Sequence, residues 1–468
     1  MVFSSTLFLF VFLPCTLLGY YILGKIKNYW LLLVSLLFFA WSQPHYVWII
    51  VLNIVINYCG AMLLTHFEKH KKLILACTVA LNLLVLFYFK YFDFTIQSLN
   101  RLTGLNISLY NIILPIGISF FTFQGMSYVV DVYREDVPVQ KNIFMMGLYI
   151  VLFPQLIAGP IVRYKDVAEE INNRTVTLED FSSGIERFII GLAKKAVIAN
   201  TMAVTVDAIW SNGPAGNSWS IAWLGSIAYS LQIYFDFSGY SDMAIGLGRM
   251  FGFHFIENFN LPYIAKSITE FWRRWHISLS TWFRDYVYIP LGGNRKHTYR
   301  NLGIVFLLTG IWHGANWQFI AWGLYHGFFI LIERFLRKGS KPSAPSSKTK
   351  SMLMSLYTLV VVHFGWVLFR APSIKWALIY ILSMFNLINP EHMGFTLFWY
   401  LDRWTLCILL AGIFFASCLP AKFAGLLKAH LPEKLFVILK YTALLCIFYA
   451  AMLRIVSGTY NPFIYFQF

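Results

Sequence analysis

The stretch LGIVFLLTGIWHGANWQFIAWGLYHGFFILI, residues 302–332, contains no Asp, Glu, Lys or Arg. It is long enough to cross the roughly 20 residues of a bilayer's hydrocarbon layer. It also carries His313 and His326 into a tryptophan-rich setting where a polar group is expensive to bury.

The rest of the chain extends this reading. Of 468 residues, 58% are hydrophobic and only 12% charged, and the mean hydropathy is +0.63. Those values exclude an ordinary soluble domain. Apolar runs recur at 4–23, 29–42, 46–64, 73–92, 111–130, 143–158, 185–209, 219–247, 352–369, 404–419 and 436–455. Together with 302–332 they predict an all-α, polytopic membrane protein with roughly ten to twelve transmembrane or re-entrant helices. Their continuous apolar character does not fit the period-two alternation of a membrane barrel. The opening MVFSS has no basic residue and the apolar run behind it outlasts a signal-peptide core, so it reads as a retained helix.

The net charge of +16 would suggest nucleic acid in a soluble protein. Here Lys and Arg cluster in short loops beside apolar runs, as the positive-inside rule expects, so no nucleic-acid partner is inferred. Lys25 and Lys27, then Lys69, Lys71 and Lys72, fall inside, which starts the chain on the extracytoplasmic side. Six scattered cysteines show no metal-ligand spacing. No internal repeat divides the chain, which reads as one membrane domain over 1–468. Its Ser, Pro and Lys-rich stretch at 338–350, KGSKPSAPSSKTK, reads as a cytoplasmic linker.

The most polar region before that linker is FWRRWHISLSTWFRDYVYIPLGGNRK. Trp272, Trp275, Leu279 and Trp282 recur at helical spacing with Arg273, Arg274, Ser278 and Arg284 between them. The pattern predicts a helix in or dipping through the interface, with indoles at headgroup level and arginines reaching phosphates. Its Gly292 and Gly293 read as an ordinary turn in preference to a phosphate cradle.

An ionisable residue inside the membrane is by default a functional-site candidate. His313 sits in a GxxxG pattern (Gly310, Gly314), so simple helix packing competes with a chemical role. Asn316, three residues on, shares its helical face, and Trp312 and Trp317 can wall a pocket. On one continuous helix His326 would stand about 20 Å from His313 and on another azimuth. The two then share no reacting centre unless the helix breaks, and His326, in a second GxxxG, reads as packing or site lining. Asp236 and Asp242, in LQIYFDFSGYSDMAIGLG, offer either a transporter's proton relay or a fixed helix junction. Six residues apart, they point to different faces. No GxSxG elbow, Walker loop or HExxH is present.

Taken together, ENFNLPYIAKSITEFWRRWHISLSTWFRDYVYIPLGGNR, LTGIWHGANWQFIAWGLYHG, LPIGISFFTFQGMSYVVDVYR, FPQLIAGPIVRYKD and the terminal YNPFIYFQF resemble the membrane-bound O-acyltransferase family. The likeness is to its bacterial members that acetylate surface polymers such as alginate, and it covers nearly the whole chain. It implies a helical fold around a central funnel or tunnel, in the bacterial cytoplasmic (inner) membrane. It implies an acetyl group from a cytoplasmic thioester, acetyl-CoA, with no bound cofactor or metal. It also implies an extracytoplasmic second acetyltransferase of the SGNH-hydrolase type as partner, and a surface polysaccharide as final acceptor.

His313, in WHGAN, matches the family's signature histidine, and His276, in RRWHISLS, its second polar position. A neutral imidazole can take a hydroxyl proton as the oxygen attacks a thioester carbonyl, while His276, Asn316 or a backbone N–H orients the base or steadies the oxyanion. Arg273, Arg274 and Arg284 are candidates for donor phosphates or for interfacial anchoring. Tyr465 matches a terminal tyrosine thought to carry the acyl group in relatives, and an aromatic membrane anchor explains the same tail. The competing class is a transporter of glycans or lipid-linked sugars, resting on Asp236, Asp242 and Arg249.

Overall fold

The computed structural model describes residues 1–157, 159–337, 347–388 and 395–458. Tyr465 and residues 338–346 of the linker lie outside the described residues. The last linker residues, from Lys348, already belong to the helix Lys348–Arg370.

The described residues form helices and no strand. Six helices are long and apolar enough to cross a membrane: Pro44–His66, Glu68–Thr103, Leu178–Trp210, Trp317–Leu336, Lys348–Arg370 and Glu433–Ser457. Two sharply bent pairs, Phe8–Ile22 with Gly24–Ser42 and Arg403–Phe415 with Leu419–His430, raise the count to eight. By length and hydropathy, then, the described residues give six to eight spans where the sequence predicts ten to twelve.

The difference has a physical cause. Several apolar runs serve the protein interior, not the lipid. The run at 111–130 becomes helical only from Ile118, and Ile118–Tyr133 is buried almost all round. The run at 143–158 breaks at Leu152 into two short pieces. The helix Trp219–Met250 is long, yet every residue from 231 to 248 is buried, including Gln232, Asp236 and Asp242. Hydropathy cannot tell an apolar side chain that meets protein from one that meets lipid.

The chain falls into two compact units, Met1–Phe188 with Tyr240–Glu257, and Ile189–Gly239 with Asn258–Phe468. In the first, a buried asparagine cluster joins Val47–His66 to Lys71–Leu86: Asn53 and Asn57 donate to Asn82 Oδ1 at 2.9 and 3.1 Å, and Asn82 donates back to Asn57 at 3.0 Å. Interhelical amides of this kind hold membrane helices together where hydrophobicity supplies no preference.

The second unit holds both candidate histidines. Its core is a helical hairpin, Thr298–His313 and Trp317–Arg337. Gly310 faces Gly323 across it, so close that a Cβ on Gly323 would lie 2.4 Å from the Phe306 carbonyl oxygen. Glycine lets the two backbones touch, as the GxxxG spacing suggests.

Two seven-residue helices, Ile268–Arg274 and Ile277–Phe283, stand where the sequence pattern predicts one interfacial helix. The Ser267 hydroxyl caps the first by accepting from Glu270 N–H at 3.0 Å. Glu333 of the hairpin accepts from Ile268 N–H at 2.6 Å and from the Thr269 hydroxyl at 3.1 Å, fixing that helix start. Trp272, Trp275, Leu279 and Trp282 are all buried, so their helical spacing reflects a protein core and not a headgroup belt. The Gly292–Gly293 turn is closed by Asn301, whose amide donates to the carbonyls of Gly293 and Lys296 at 3.1 and 2.7 Å.

Candidate active site

His313 is the last residue of the helix Thr298–His313, and the chain becomes extended at Gly314. A side chain there would collide with the Phe319 ring, about 2.3 Å from a Cβ, so glycine is what lets the hairpin close. The His313 ring is 3% exposed and sits edge-on among Trp312, Trp322 and Phe369, with centroids 5.0, 4.8 and 5.3 Å away. The last turn of a helix favours a positive charge on an imidazole, while the aromatic cage limits water.

His276 occupies the break between the two short helices. Its backbone is left-handed, φ 45° and ψ 54°, a conformation that a histidine adopts only when its surroundings impose it. Asn258 is what imposes it. The Asn258 carbonyl oxygen accepts from Ile277 N–H at 3.0 Å, and Asn258 Oδ1 accepts from Ser278 N–H at 3.2 Å and from the Ser278 hydroxyl at 2.9 Å. Because a backbone N–H donates to it, that atom is the amide oxygen. His276 Nδ1, 3.2 Å from the same oxygen, must therefore carry the proton, which makes Nε2 the acceptor nitrogen. Burial holds the His276 imidazole well below its usual range, so the ring is neutral.

Trp312 links the histidines, its ring 6.0 Å from His276 and 5.0 Å from His313. His326 also joins this neighbourhood. Because the helix breaks between Gly314 and Asn316, His313 and His326 lie on facing arms of a hairpin and not about 20 Å apart on one rod. Both pack against Trp322, at 4.8 and 5.1 Å. The same break moves Asn316 and Trp317 off the His313 face; both are exposed, and Asn316 Oδ1 accepts from Trp317 N–H at 2.8 Å. The expectation that Asn316 shares one continuous helical face with His313 is thus corrected.

A cavity of about 200 Å³ lies along this part of the unit, lined by Trp272, Arg273, Phe283, Arg284, Val305 and Thr309. Thr309, which lines it, is four residues before His313 on the same helix face. Arg273 and Arg284 both line it. Arg274 does not: it pairs with Glu270 at 2.9 Å and donates to the Asn260 carbonyl at 3.1 Å. Arg284 also pairs with Asp285 at 2.7 Å.

The intramembrane carboxylates have separate partners. In the second unit Lys195 meets Asp236 at 2.5 Å with both side chains buried, and in the first Arg187 bridges Asp242 at 2.6 Å and Glu257 at 2.5 Å. Each reads as a paired charge fixing a helix junction, which removes the observation on which a transporter's relay rested. Among the described residues no group of three His, Cys, Asp or Glu is placed to hold a metal ion.

Several site residues carry no signal in the sequence. Asn258 and Ser278 reach His276 through a backbone turn that no periodicity encodes, and Phe369 arrives from a helix more than fifty residues away.

The family model for the membrane-bound O-acyltransferase family (MBOAT) matches residues 138–374, which include His276, His313 and His326. Over its full length the chain is 40% identical to the full length of "Probable alginate O-acetylase AlgI" of Pseudomonas putida. It is 36% identical to the peptidoglycan O-acetyltransferase of Helicobacter pylori, over 89% of this chain and 86% of that one. It is 32% identical to the teichoic acid D-alanyltransferase of Bacillus subtilis, over 56% of this chain and 69% of that one. A polytopic helical protein with this similarity along its whole length is a membrane O-acyltransferase, and the chain belongs to the membrane-bound O-acyltransferase family.

Proposed function

We propose that this enzyme O-acetylates an extracytoplasmic polysaccharide such as alginate, drawing acetyl from acetyl-CoA on the cytoplasmic side of the bacterial inner membrane. The observation that carries the reading is the pair of buried histidines on either side of Trp312, in a chain alike over its full length to an alginate O-acetylase. His313 acts as general base. An acceptor oxygen attacks the thioester carbonyl, the new C–O bond forms, the C–S bond breaks, and the hydroxyl proton passes through His313 to the departing thiolate. Such a base contributes roughly 10² to 10⁴ in rate.

The tautomer of His276 suits its Nε2 to accept a hydrogen bond and not to donate one to an oxyanion, a role that falls to backbone N–H groups. Arg273 and Arg284, which line the same cavity as Thr309, are suited to the donor's phosphates. An SGNH-type partner transferase completes delivery to the polymer, with Tyr465 as a relay through a phenol ester.

The test is the O-acetyl content of surface polysaccharides, by NMR, in cells lacking the protein and complemented with wild type or His313→Ala at equal membrane levels. Acetyl missing in the deletion, restored by wild type and still missing with His313→Ala is the expected result. Full restoration by His313→Ala removes the catalytic assignment.

A further inference from the structure

A second cavity lies outside the histidine cage. It measures about 570 Å³ and is lined by Trp223, Ile227, Leu231, Tyr263, Val360, His363 and Trp366, among others. That is well within the range of about 300–1,000 Å³ typical of ligand pockets and several times the roughly 150 Å³ of apolar cavities known to stay empty.

Most of its polar side chains bond within the protein. His363 lies flat against Trp223, ring centroids 5.3 Å apart, and is held by two serines, with Ser230 Oγ 3.1 Å from Nδ1 and Ser226 Oγ 3.0 Å from Nε2. The Tyr263 hydroxyl donates to the Ser230 carbonyl. Trp223 Nε1 donates to the Met384 carbonyl at 2.9 Å, and the Ser417 hydroxyl to the Phe414 carbonyl at 2.7 Å. Ordered water needs two to four polar partners, and these groups have spent theirs within the protein.

The rim says what lies outside. Leu359 and Val360 belong to Lys348–Arg370, a helix apolar and long enough to span a membrane, and Ile413 to the bent pair that begins at Arg403. All three are at least 39% exposed, while Leu231, Val362 and Trp366 at the inner wall are at most 4% exposed. The cavity therefore opens from a lipid-facing surface into the protein.

We propose that this cavity binds one acyl chain of a bilayer phospholipid, with the chain ending against Trp366. That indole is shared with the catalytic neighbourhood: it packs on Trp275 at 4.7 Å, beside His276, and on Phe369 at 5.8 Å, which touches His313. The bound chain forms the outer support of the aromatic wall behind the histidines.

Native mass spectrometry of the full chain, solubilised from its own membrane, reads the site directly. Wild type is expected to keep one phospholipid-mass adduct under activation that strips the rest. Ile227→Trp and Val360→Trp, which fill the cavity, are expected to lose it, and Leu445→Trp, on an exposed face of Glu433–Ser457, to keep it. No adduct on wild type, an adduct kept by both filling variants, or a mass twice that of the chain in place of a lipid overturns the proposal. If the filling variants do not accumulate, photolabelling of wild type by a phospholipid with a diazirine in its acyl chain decides. Label on Leu231, Val362 or Trp366 is expected, and label confined to outward-facing residues overturns it.

Discussion

His276 and His326 are both fully buried, with 0% exposure, and both pack against tryptophan, His276 on Trp312 and His326 on Trp272 and Trp322. Their treatment by the protein differs. His276 is given an amide, a hydroxyl and a backbone turn that define its tautomer and hold it in an unfavourable conformation. His326 has no hydrogen-bond partner at either nitrogen among the described residues. Its ring is set by Trp272, Trp322 and Tyr325 and by Gly365, where a Cβ would stand 2.6 Å from Nε2. Burying an imidazole is costly in both places. Only at His276 is the burial accompanied by an orientation of the lone pair, which is what proton chemistry requires. Burial and spacing alone thus do not separate these two histidines; the partners that orient the lone pair of His276 do.

The contrast breaks first, and hardest, at His276 itself. Asparagine tolerates the left-handed backbone, so His276→Asn is expected to keep the protein in the membrane at wild-type level. Its O-acetylation should fall by about 10²-fold, about 2.7 kcal/mol of transition-state stabilisation, because the oriented Nε2 acceptor is lost. Normal acetylation by His276→Asn would put this histidine with the packing residues.

Asn258→Ala comes next. It removes the oxygen that serves His276 and both Ser278 donors. A buried donor left without its acceptor costs about 1–3 kcal/mol. If about 1.4 kcal/mol of that appears in the transition state, turnover falls roughly tenfold. Because the tautomer is then no longer enforced, the pH dependence of turnover should change as well. A drop in protein level with turnover per molecule unchanged would make Asn258 a folding residue only.

The sequence shows the class of this fold clearly and its details unevenly. So many continuous apolar runs mark a helical membrane protein, and the WHGAN and RRWHISLS stretches stand out because their polar residues interrupt such runs. The break at Gly314 is hidden because glycine is tolerated within membrane helices as well as at their ends. Reading 302–332 as one rod put His326 out of reach of His313 and Asn316 beside it, and both placements fail for that single reason. Asn258 is invisible for another reason: its contact with His276 is tertiary, made across seventeen intervening residues by no helical period.

A milder change sharpens the other half of the comparison. Replacing a buried polar group that has no partners by an apolar one of similar size is close to neutral. His326→Leu is therefore expected to leave membrane level unchanged or raised and acetylation within about threefold of wild type. A loss as large as that of His276→Asn would show that His326 meets a proton during the reaction, and the packing description would have to be given up.

His254 supplies the smallest effect and a control of opposite kind, a histidine half exposed to water. Its Nδ1 lies 2.8 Å from Glu170 and its Nε2 3.2 Å from Asp180, and its own N–H donates to Glu170 at 3.1 Å. The hydrogen bond that its imidazolium donates to Glu170, with Asp180 behind it, holds its pKa above the ordinary value despite partial burial. A group whose folded value is raised contributes its full stabilisation below the unfolded value, about 6.5 for histidine, and loses it as pH rises through the folded value. Solvent screening keeps the contribution small. The thermal midpoint of the detergent-solubilised protein should accordingly fall slightly between about pH 6 and about pH 8, and His254→Gln should flatten that slope. Acetylation per molecule should stay unchanged, because this histidine holds two carboxylates in place and does no chemistry. A slope that survives His254→Gln would assign the titration to another group, whereas altered acetylation would mean that charge on this loop reaches the reaction.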